Sequence, residues 1–297
     1  MYINDFYRNF FVPVCLSRVK IGTRRLYDQI IELWISDVGN LEIHEINPAH
    51  CQQFVDSSLE KVSPASVAKY CRHINALFLR MGPPTWRNRR AFAFVQHPPY
   101  CQPPRLEKRL PKQVTDKQLT KLIDALSDND QYPKSVEQDL RPTWWRALCL
   151  FAATTALRKQ VIFGLKWDAF DLQRNLFYVS PQLDKTNCER IKFLHPNLKQ
   201  LLLEIRTREP KVFFWQHGNK KFYQLWCEAC EKTGTKLKLH DLKRYASQLA
   251  IRSGADVATL REFCDHADIS TTLKHYARGN VEALIANLKI PKGVWDD

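Results

Sequence analysis

The sequence lacks any apolar run long enough to cross a membrane. No stretch approaches the roughly 18 to 20 consecutive apolar residues that a transmembrane helix needs. The opening residues, MYINDFYRNF, also lack the basic and apolar segments of a secretion signal. We therefore expect a protein of the cytoplasm with no membrane partner.

Acidic residues are scarce relative to basic ones. The 297-residue chain has 45 Lys and Arg against 31 Asp and Glu, which gives a formal net charge of +14. The basic residues are spread along the sequence. A folded protein with this excess is typically built to meet a polyanion, because each phosphate that it neutralises releases condensed counterions. Nucleic acid is the predicted partner, and a basic protein without a nucleic-acid role is the alternative.

Disulfide and metal patterns are also missing. The nine cysteines are an odd number at irregular spacings, which favours reduced thiols over a disulfide framework. Cys227 and Cys230 have no second ligand pair at a spacing that suits zinc, so we interpret them, with Trp226, as the buried face of a helix. The second half of the chain has no carboxylate cluster that would hold magnesium. We expect no metal and no small-molecule cofactor.

Residues 1–96 are predicted to form a small, all-helical bundle. The stretch from residue 23 to 39, TRRLYDQIIELWISDVG, has apolar residues at helical spacing and ends at a glycine. Two further helices are predicted after Asn47 and Ser63, because each is a good N-cap residue followed by proline in the first turn.

Residues 97–113 have a different composition. HPPYCQPPRLEKRLPK contains five prolines and four basic residues. Prolines favour an extended chain without regular hydrogen bonds, so this stretch is predicted to be a linker. Its positive charge suits a strap that lies against phosphates, and a merely solvated linker is the alternative.

Residues 114–297 combine helices with one hairpin. Thr115 is a predicted N-cap, and a second helix is expected from about residue 142 to 156. Two β-rich runs, 176–179 and 191–194, are joined by a polar turn and predict a hairpin, after which the chain is again helical. The predicted fold class is mainly α with a small β-hairpin or sheet, an α+β arrangement.

The second domain also contains groups suited to one reaction. They are Arg158, Lys185, His240, Lys243, Arg244, His266 and Tyr276. A phosphodiester under attack develops negative charge on its non-bridging oxygens, which arginine forks and histidine donors stabilise. A lysine or histidine can protonate the departing oxygen, and a tyrosine can be the nucleophile. This chemistry requires no metal.

These residues stand in motifs that resemble those of the tyrosine recombinases, the phage-integrase family. TTALRKQVIFGLKWDAFDL resembles the first arginine motif and has Arg158 in the arginine position. KTNCERIKFLHP resembles the hairpin that carries the lysine, here Lys185. HDLKRYASQLA resembles the His-x-x-Arg box, CDH its Leu-Gly-His, and STTLKHYAR the nucleophile segment. Any one motif is weak, but five in the correct order are a specific signal.

The resemblance implies a fold and a mechanism. Residues 1–96 correspond to the helical core-binding domain, and 114–297 to a catalytic domain that ends in a C-terminal helix. Tyr276 would attack the scissile phosphate and form a 3′-phosphotyrosyl link, which the 5′-hydroxyl of a partner strand then reseals without a cofactor. Arg158, His240 and His266 would hold the phosphate, and Lys185 would protonate the leaving oxygen. Two domains would clamp duplex DNA, and the segment after Tyr276 would pack on a neighbouring protomer in a tetramer.

Three residues depart from the family pattern. Lys243 stands where the box has its arginine, which keeps the charge but loses the two-pronged grip on a phosphate. Val161 replaces an acidic residue that helps to seat the first arginine. Asp265 replaces the glycine of Leu-Gly-His and is expected to place a negative charge close to the phosphate.

The nucleophile has a choice of register. Family members carry the tyrosine nine or ten residues after the histidine at 266, and those positions are His275 and Tyr276. A histidine does not form the stable phosphotyrosyl link, so Tyr276 is assigned. Tyr245 lies within an apolar stripe and is interpreted as a core residue.

Basic residues of both domains are candidates for DNA binding. They are Arg24, Arg25, Lys69, Arg72 and Arg244.

The leading hypothesis is a site-specific recombinase or integrase, as found on mobile elements. The three departures motivate a second hypothesis, a DNA-binding protein on the same scaffold that has lost cleavage. A topoisomerase of the tyrosine type shares the chemistry, but the separate helical domain argues against it.

Overall fold

The computed structural model describes residues 1–86, 88–107, 112–129, 131–184 and 188–265. The chain divides into two compact units between residues 109 and 110. No helix in the described part of the chain is long and apolar enough to cross a membrane.

The first unit is helical. It opens with α1 (Ile3–Phe6), which continues into a π-helical segment (Tyr7–Leu16), a stretch whose aromatic residues did not predict a helix. The next three helices are those expected from the sequence: α2 (Ile21–Asp37), α3 (Pro48–Lys61) and α4 (Pro64–Met81).

The caps of α3 and α4 work as their sequences predict. The Asn47 side chain accepts hydrogen bonds from the backbone N–H groups of Ala49 and His50, and the Ser63 hydroxyl accepts one from Ser66. Each cap satisfies N–H groups that have no partner within the helix, so both helices begin at the proline that follows the cap.

Aromatic residues form the core of the first unit. The Trp34 ring lies between Phe54 and Phe78, with both centroid distances 5.2 Å. Cys101 is fully buried in the same core, and its backbone N–H and C=O both bond to the Asn75 side chain at 2.8 Å. The packed core of this unit therefore reaches into the stretch expected to be a linker.

The second unit is built from helices around a small sheet. Two long helices, α5 (Asp116–Ser127) and α6 (Arg141–Thr155), are followed by the short α7 (Lys159–Ile162). After the sheet come α8 (Pro196–Glu204), α9 (Asn219–Thr233), α10 (Leu239–Arg252) and α11 (Val257–Cys264).

The sheet has antiparallel order β1-β2-β3. Strands β2 (Leu176–Val179) and β3 (Arg190–Phe193) form the predicted hairpin, with Tyr178 opposite Ile191. β1 (Phe170–Asp171) was not predicted, because two residues are too few to show an alternating pattern.

The core of the second unit surrounds α6, against which α5, α8 and α10 pack. Trp144 and Trp145 are fully buried and contact the Trp215 ring. Cys230 is buried and its thiol donates to the Leu237 carbonyl, but Cys227 is exposed. The assignment of both cysteines to one buried face was therefore wrong for Cys227, since three residues rotate a helix by less than one full turn.

Candidate active site

Arg158 lies at the start of α7, directly after the sharp turn that ends α6. The turn is made by Ala156, which has a left-handed backbone with φ of 54°. The Arg158 guanidinium is partly exposed and donates a 2.7 Å hydrogen bond to Oδ1 of Asp184, a buried carboxylate. An arginine held in this way by one buried acid is fixed in orientation and still accessible to a ligand.

Asp184 connects Arg158 to the hairpin and to the end of α11. Its second oxygen, Oδ2, accepts a 2.6 Å bond from Arg190 on β3. Arg190 also lies 3.2 Å from Asp265, whose other oxygen is 2.8 Å from the Lys192 amine. The result is a continuous chain of ion pairs that joins α7, the hairpin and the turn after α11.

The turn after α11 is held by three cations. The Lys192 amine donates to the Phe263 carbonyl at 2.6 Å, and the Lys243 amine to the Cys264 carbonyl at 2.7 Å. Arg190 and Lys192 both pair with Asp265. Asp265 has a left-handed backbone with φ of 57°, which explains why glycine suits this position and why aspartate, with its short polar side chain, is tolerated.

Lys243 and His240 lie one turn apart on α10. Lys243 is buried, and that burial, together with the charge of Arg158, lowers the pKa of its amine to about 8. His240 keeps an exposed edge, but partial burial and the charges of Arg244 and Lys243 lower the pKa of its imidazole. A neutral imidazole at neutral pH retains one N–H that can donate to an oxyanion.

The cluster has a surplus of positive charge. Among the described residues it contains four cations, listed as Arg158, Arg190, Lys192 and Lys243, and two carboxylates, Asp184 and Asp265. Two positive charges are therefore not balanced by these carboxylates. A partly exposed arginine beside a buried lysine, with this surplus, is an electrostatic environment for an anion.

Three predicted site residues lie outside the described residues. They are Lys185, His266 and Tyr276. Lys185 directly follows Asp184 in the sequence, and His266 directly follows Asp265. Both carboxylates of the cluster thus immediately precede a residue for which the sequence predicts a role.

Five other basic residues were proposed to bind DNA. Arg24 and Arg25 are exposed on α2, and Lys69 and Arg72 are exposed on α4. Arg244 lies in the second unit and donates a 3.0 Å bond to Asp241, one turn away on α10. Its side chain does not replace Lys243 at the Cys264 carbonyl.

Sequence reasoning missed Asp184, Arg190 and Lys192. A strand usually turns its apolar side chains inward, but β3 does the reverse. Ile191 and Phe193 are 58% and 81% exposed, whereas Lys192 is 6% exposed. The signal in the sequence was the alternation of basic and apolar residues in RIKF, which places both cations on one face of the strand.

The structure also accounts for two of the three departures. Val161 is buried and has no charge to offer Arg158, but Asp184 supplies a carboxylate in its place. Asp265 does bring a negative charge into the cluster, as expected, and it is paired with Arg190 and Lys192. The third departure has no such compensation, because Lys243 lacks the two-pronged hydrogen bonding of an arginine guanidinium.

Tyr245 is held in the core. Its ring is 8% exposed, its hydroxyl donates to Oδ1 of Asp116 at 2.9 Å, and the guanidinium of Arg252 lies 5.4 Å from the ring centroid. Burial raises the pKa of this phenol, and the bond to Asp116 adds to the effect. Tyr245 is therefore a core residue, as its apolar stripe predicted.

Comparison with protein families finds two matches. The model described as "Phage integrase family" matches residues 112–283, and "Phage integrase, N-terminal SAM-like domain" matches residues 3–59. A curated relative, tyrosine recombinase XerC of Pseudomonas savastanoi pv. phaseolicola, is 26% identical over 188 residues, which are 60% of each chain. XerC of Pseudomonas syringae pv. syringae matches with the same identity and coverage. The matched region thus spans about 60% of these relatives' length.

Solved structures share the fold. The Tn1549 transposon integrase in complex with circular intermediate DNA has a TM-score of 0.70 at 15% identity, and the match covers 96% of this chain and 98% of that one. A lambda integrase dimer bound to a COC′ core site has a TM-score of 0.68 at 12% identity, over 93% of this chain and 77% of the other.

Proposed function

Because the chain belongs to the phage integrase family, as the match over residues 112–283 shows, we propose that it is a site-specific DNA recombinase that cleaves and rejoins strands through a 3′-phosphotyrosine. One observation carries this proposal beyond family membership. The cations of the candidate active site converge on Asp184 and Asp265, the residues that precede Lys185 and His266. Arg158 contacts Asp184 directly and is joined to Asp265 through Arg190, so a phosphate bound at Arg158 lies at one end of this chain of ion pairs.

Tyr276 is the proposed nucleophile. As its hydroxyl oxygen attacks the scissile phosphorus it gives its proton to solvent, the bond to the 5′ oxygen breaks, and the leaving oxygen takes a proton from Lys185, which solvent then reprotonates. The phosphodiester bond is exchanged for a phosphotyrosyl ester, so its energy is kept for resealing by a 5′-hydroxyl of the partner strand. Arg158, His240 and His266 stabilise the negative charge that develops on the non-bridging oxygens.

Lys243 contributes a point charge to the same phosphate site. The cost of burying its amine, visible in the lowered pKa, is partly recovered when a phosphate arrives. Since the interaction strengthens as charge develops on the phosphate, a desolvated lysine favours the transition state over the ground state.

The proposed substrate is double-stranded DNA. The +14 charge supports a polyanionic partner, and the lambda and Tn1549 integrases of similar fold are described in complex with DNA. We further propose that four copies assemble on DNA, with the segment after Tyr276 packed on a neighbour, because strand exchange requires four strands to be cut in two duplexes. A DNA substrate is consistent with the cytoplasmic location expected from the sequence.

Nicked suicide duplexes test the proposal. They are made from the DNA that flanks the reading frame, with a nick that releases the strand end after cleavage and so prevents resealing. We expect a covalent protein–DNA adduct on denaturing gels with wild type and none with Tyr276→Phe. Shifted DNA on native gels without any adduct would instead indicate a binding protein that has lost cleavage.

The contacts in the candidate active site argue for the enzyme. Three departures from the family pattern motivated the alternative of a DNA-binding protein that has lost cleavage. Two of them are compensated, since Asp184 orients Arg158 and two cations pair with Asp265.

A further inference from the structure

The second unit has a cavity with aromatic walls, and one of its lining residues, Lys159, directly follows Arg158 in the sequence. Its volume is about 560 Å³, which lies within the range of ordinary ligand pockets. The start of α7, the segment before α9 and the first turn of α9 form its walls. The residues that line it include Lys159, Phe163, Trp215, Asn219, Phe222 and Tyr223.

The Lys159 amine is surrounded by rings. It lies 4.1 Å from the ring centroids of both Phe222 and Tyr223, and it donates a 3.0 Å bond to Oδ1 of Asn219. No carboxylate is among the described residues that line the cavity. Burial lowers the pKa of this amine to about 8, so the cavity holds an ammonium group that a hydrogen-bond acceptor would stabilise.

These walls select the shape and the chemistry of an occupant. Aromatic faces stack with flat rings, and the amine together with the Asn219 amide offers donors to acceptor atoms at a ring edge. A nucleobase has both properties, a π-face and carbonyl or ring-nitrogen acceptors. Lys159 follows Arg158 directly, so their Cα atoms are about 3.8 Å apart and the cavity begins one residue from the arginine that is proposed to hold the phosphate.

We propose that this cavity takes one unpaired nucleobase from the DNA strand held at Arg158. The inference rests on the proposed function, because it requires DNA at the candidate active site. The base packs against Tyr223 and Trp215, the partly exposed rings of the cavity, and an edge carbonyl accepts a hydrogen bond from Lys159. A base that is already unpaired enters most readily, since no pairing has to be broken.

Three labelled duplexes of one sequence test the proposal. The first is fully paired, the second carries a single extrahelical thymine, and the third carries an abasic site at the same bulge. Fluorescence anisotropy measures their affinities at one salt concentration. We expect the thymine bulge to bind at least about 5-fold more tightly than the abasic bulge, which has the same backbone distortion but no base.

Variants test whether the preference for the thymine bulge arises in this cavity. Tyr223→Ala and Lys159→Met should bind the thymine and abasic bulges equally, whereas the control Tyr178→Ala, an exposed tyrosine on β2 that does not line the cavity, should keep the wild-type preference. Equal binding of the two bulges by wild type, or a preference that survives in both cavity variants, would overturn this inference alone. Absence of binding to all three duplexes would overturn the proposed DNA substrate and this inference with it.

Discussion

At the scale of single residues, Lys243 is the group whose chemistry depends most on its surroundings. Its amine is buried, donates to the Cys264 carbonyl, and has its pKa lowered by burial and by Arg158 from 10.5 to about 8. The charge is therefore present below about pH 8 and is lost as the pH rises through that value. An arginine at this position would stay charged throughout the accessible range.

We predict that deprotonation of the Lys243 amine slows cleavage above about pH 8. With DNA well below saturation, the rate of adduct formation by wild type should fall above about pH 8, because those conditions report the groups of the free enzyme. Lys243→Arg should react faster at every pH and lack this fall, since its guanidinium adds a forked, permanently charged grip. Identical pH profiles for the two proteins would contradict the assigned role.

Asp184 is predicted to act through Arg158. Asp184→Asn removes the charge that orients the guanidinium, and we expect adduct formation to slow by about 10- to 100-fold, the scale of a small misplacement of a positioned group. Asp171→Asn, which removes a carboxylate from β1 of the same sheet, is the matched control and should leave the rate unchanged. A normal rate in Asp184→Asn would show that Arg158 is oriented by other contacts.

The sequence indicates residues whose chemistry is local and misses those whose role depends on a distant partner. Arg158 and His240 could be predicted because their motifs stand in order along the chain. The pairs that Arg190 forms with Asp184 and Asp265 could not, since the second of them spans 75 positions of sequence and exists only after the hairpin meets the end of α11. Val161 showed that a carboxylate was missing, but not that Asp184 would supply it.

At the scale of elements, the hairpin and the turn after α11 form one assembly. β3 turns Lys192 inward, where its amine holds both the Phe263 carbonyl and the Asp265 carboxylate. The strand that follows Lys185 is therefore tied to the turn that precedes His266. A shift of either segment must disturb the other, which couples the two ends of the candidate active site.

The buried ion pair between Lys192 and Asp265 predicts how the free energy of unfolding changes in single and double variants. Lys192→Val leaves a buried carboxylate short of a partner and should lower the free energy of unfolding by about 3 kcal/mol. Combining it with Asp265→Gly should restore most of the loss, since glycine suits the left-handed backbone there, the carboxylate left short of a partner is gone, and Arg190 keeps its pair with Asp184. Urea unfolding measures both.

The exposed pair Arg174–Asp171 is the control for that experiment. Its atoms are 3.8 Å apart and Arg174 is largely in solvent, so Arg174→Ala should cost at most about 1 kcal/mol. If Lys192→Val and Arg174→Ala lower the free energy of unfolding equally, or if the double variant shows no recovery, the ion pair between Lys192 and Asp265 does not stabilise the fold as proposed.

Elements with strong local signals were predictable, and short or inverted ones were not. α3 and α4 begin where a capping residue precedes a proline, which is information held within a few residues. β1 is only two residues long, and the face that β3 buries is set by the charges around it. Tertiary charge pairing overrode the usual preference to bury isoleucine and phenylalanine.

Over the whole molecule, the excess of positive charge is predicted to determine how the protein binds its proposed DNA substrate. The cations at the candidate active site account for only part of the +14, and the exposed basic residues on α2 and α4 add to it in the first unit. Contacts of this kind bind the phosphate backbone without reading sequence.

Binding to duplex DNA should therefore depend steeply on salt. If about 6 to 10 phosphates are contacted, affinity should fall by about 10³- to 10⁵-fold between 50 and 200 mM salt. Fluorescence anisotropy on one duplex at several salt concentrations gives the slope. Replacing the exposed pair Lys69 and Arg72 by alanine should make it shallower by about two contacts, whereas a flat response in wild type would argue against DNA as the partner.

Tyr276 is proposed to form the covalent bond to DNA, and mass spectrometry of the adduct identifies the linked residue. The adduct from a nicked suicide duplex is digested with nuclease and then with trypsin, which releases the tetrapeptide HYAR, residues 275–278. We predict that this peptide carries a nucleotide through a 3′-phosphate on Tyr276. A nucleotide on another residue, Tyr245 included, would refute Tyr276 as the nucleophile, and bound DNA with no nucleotide on any peptide would refute covalent cleavage.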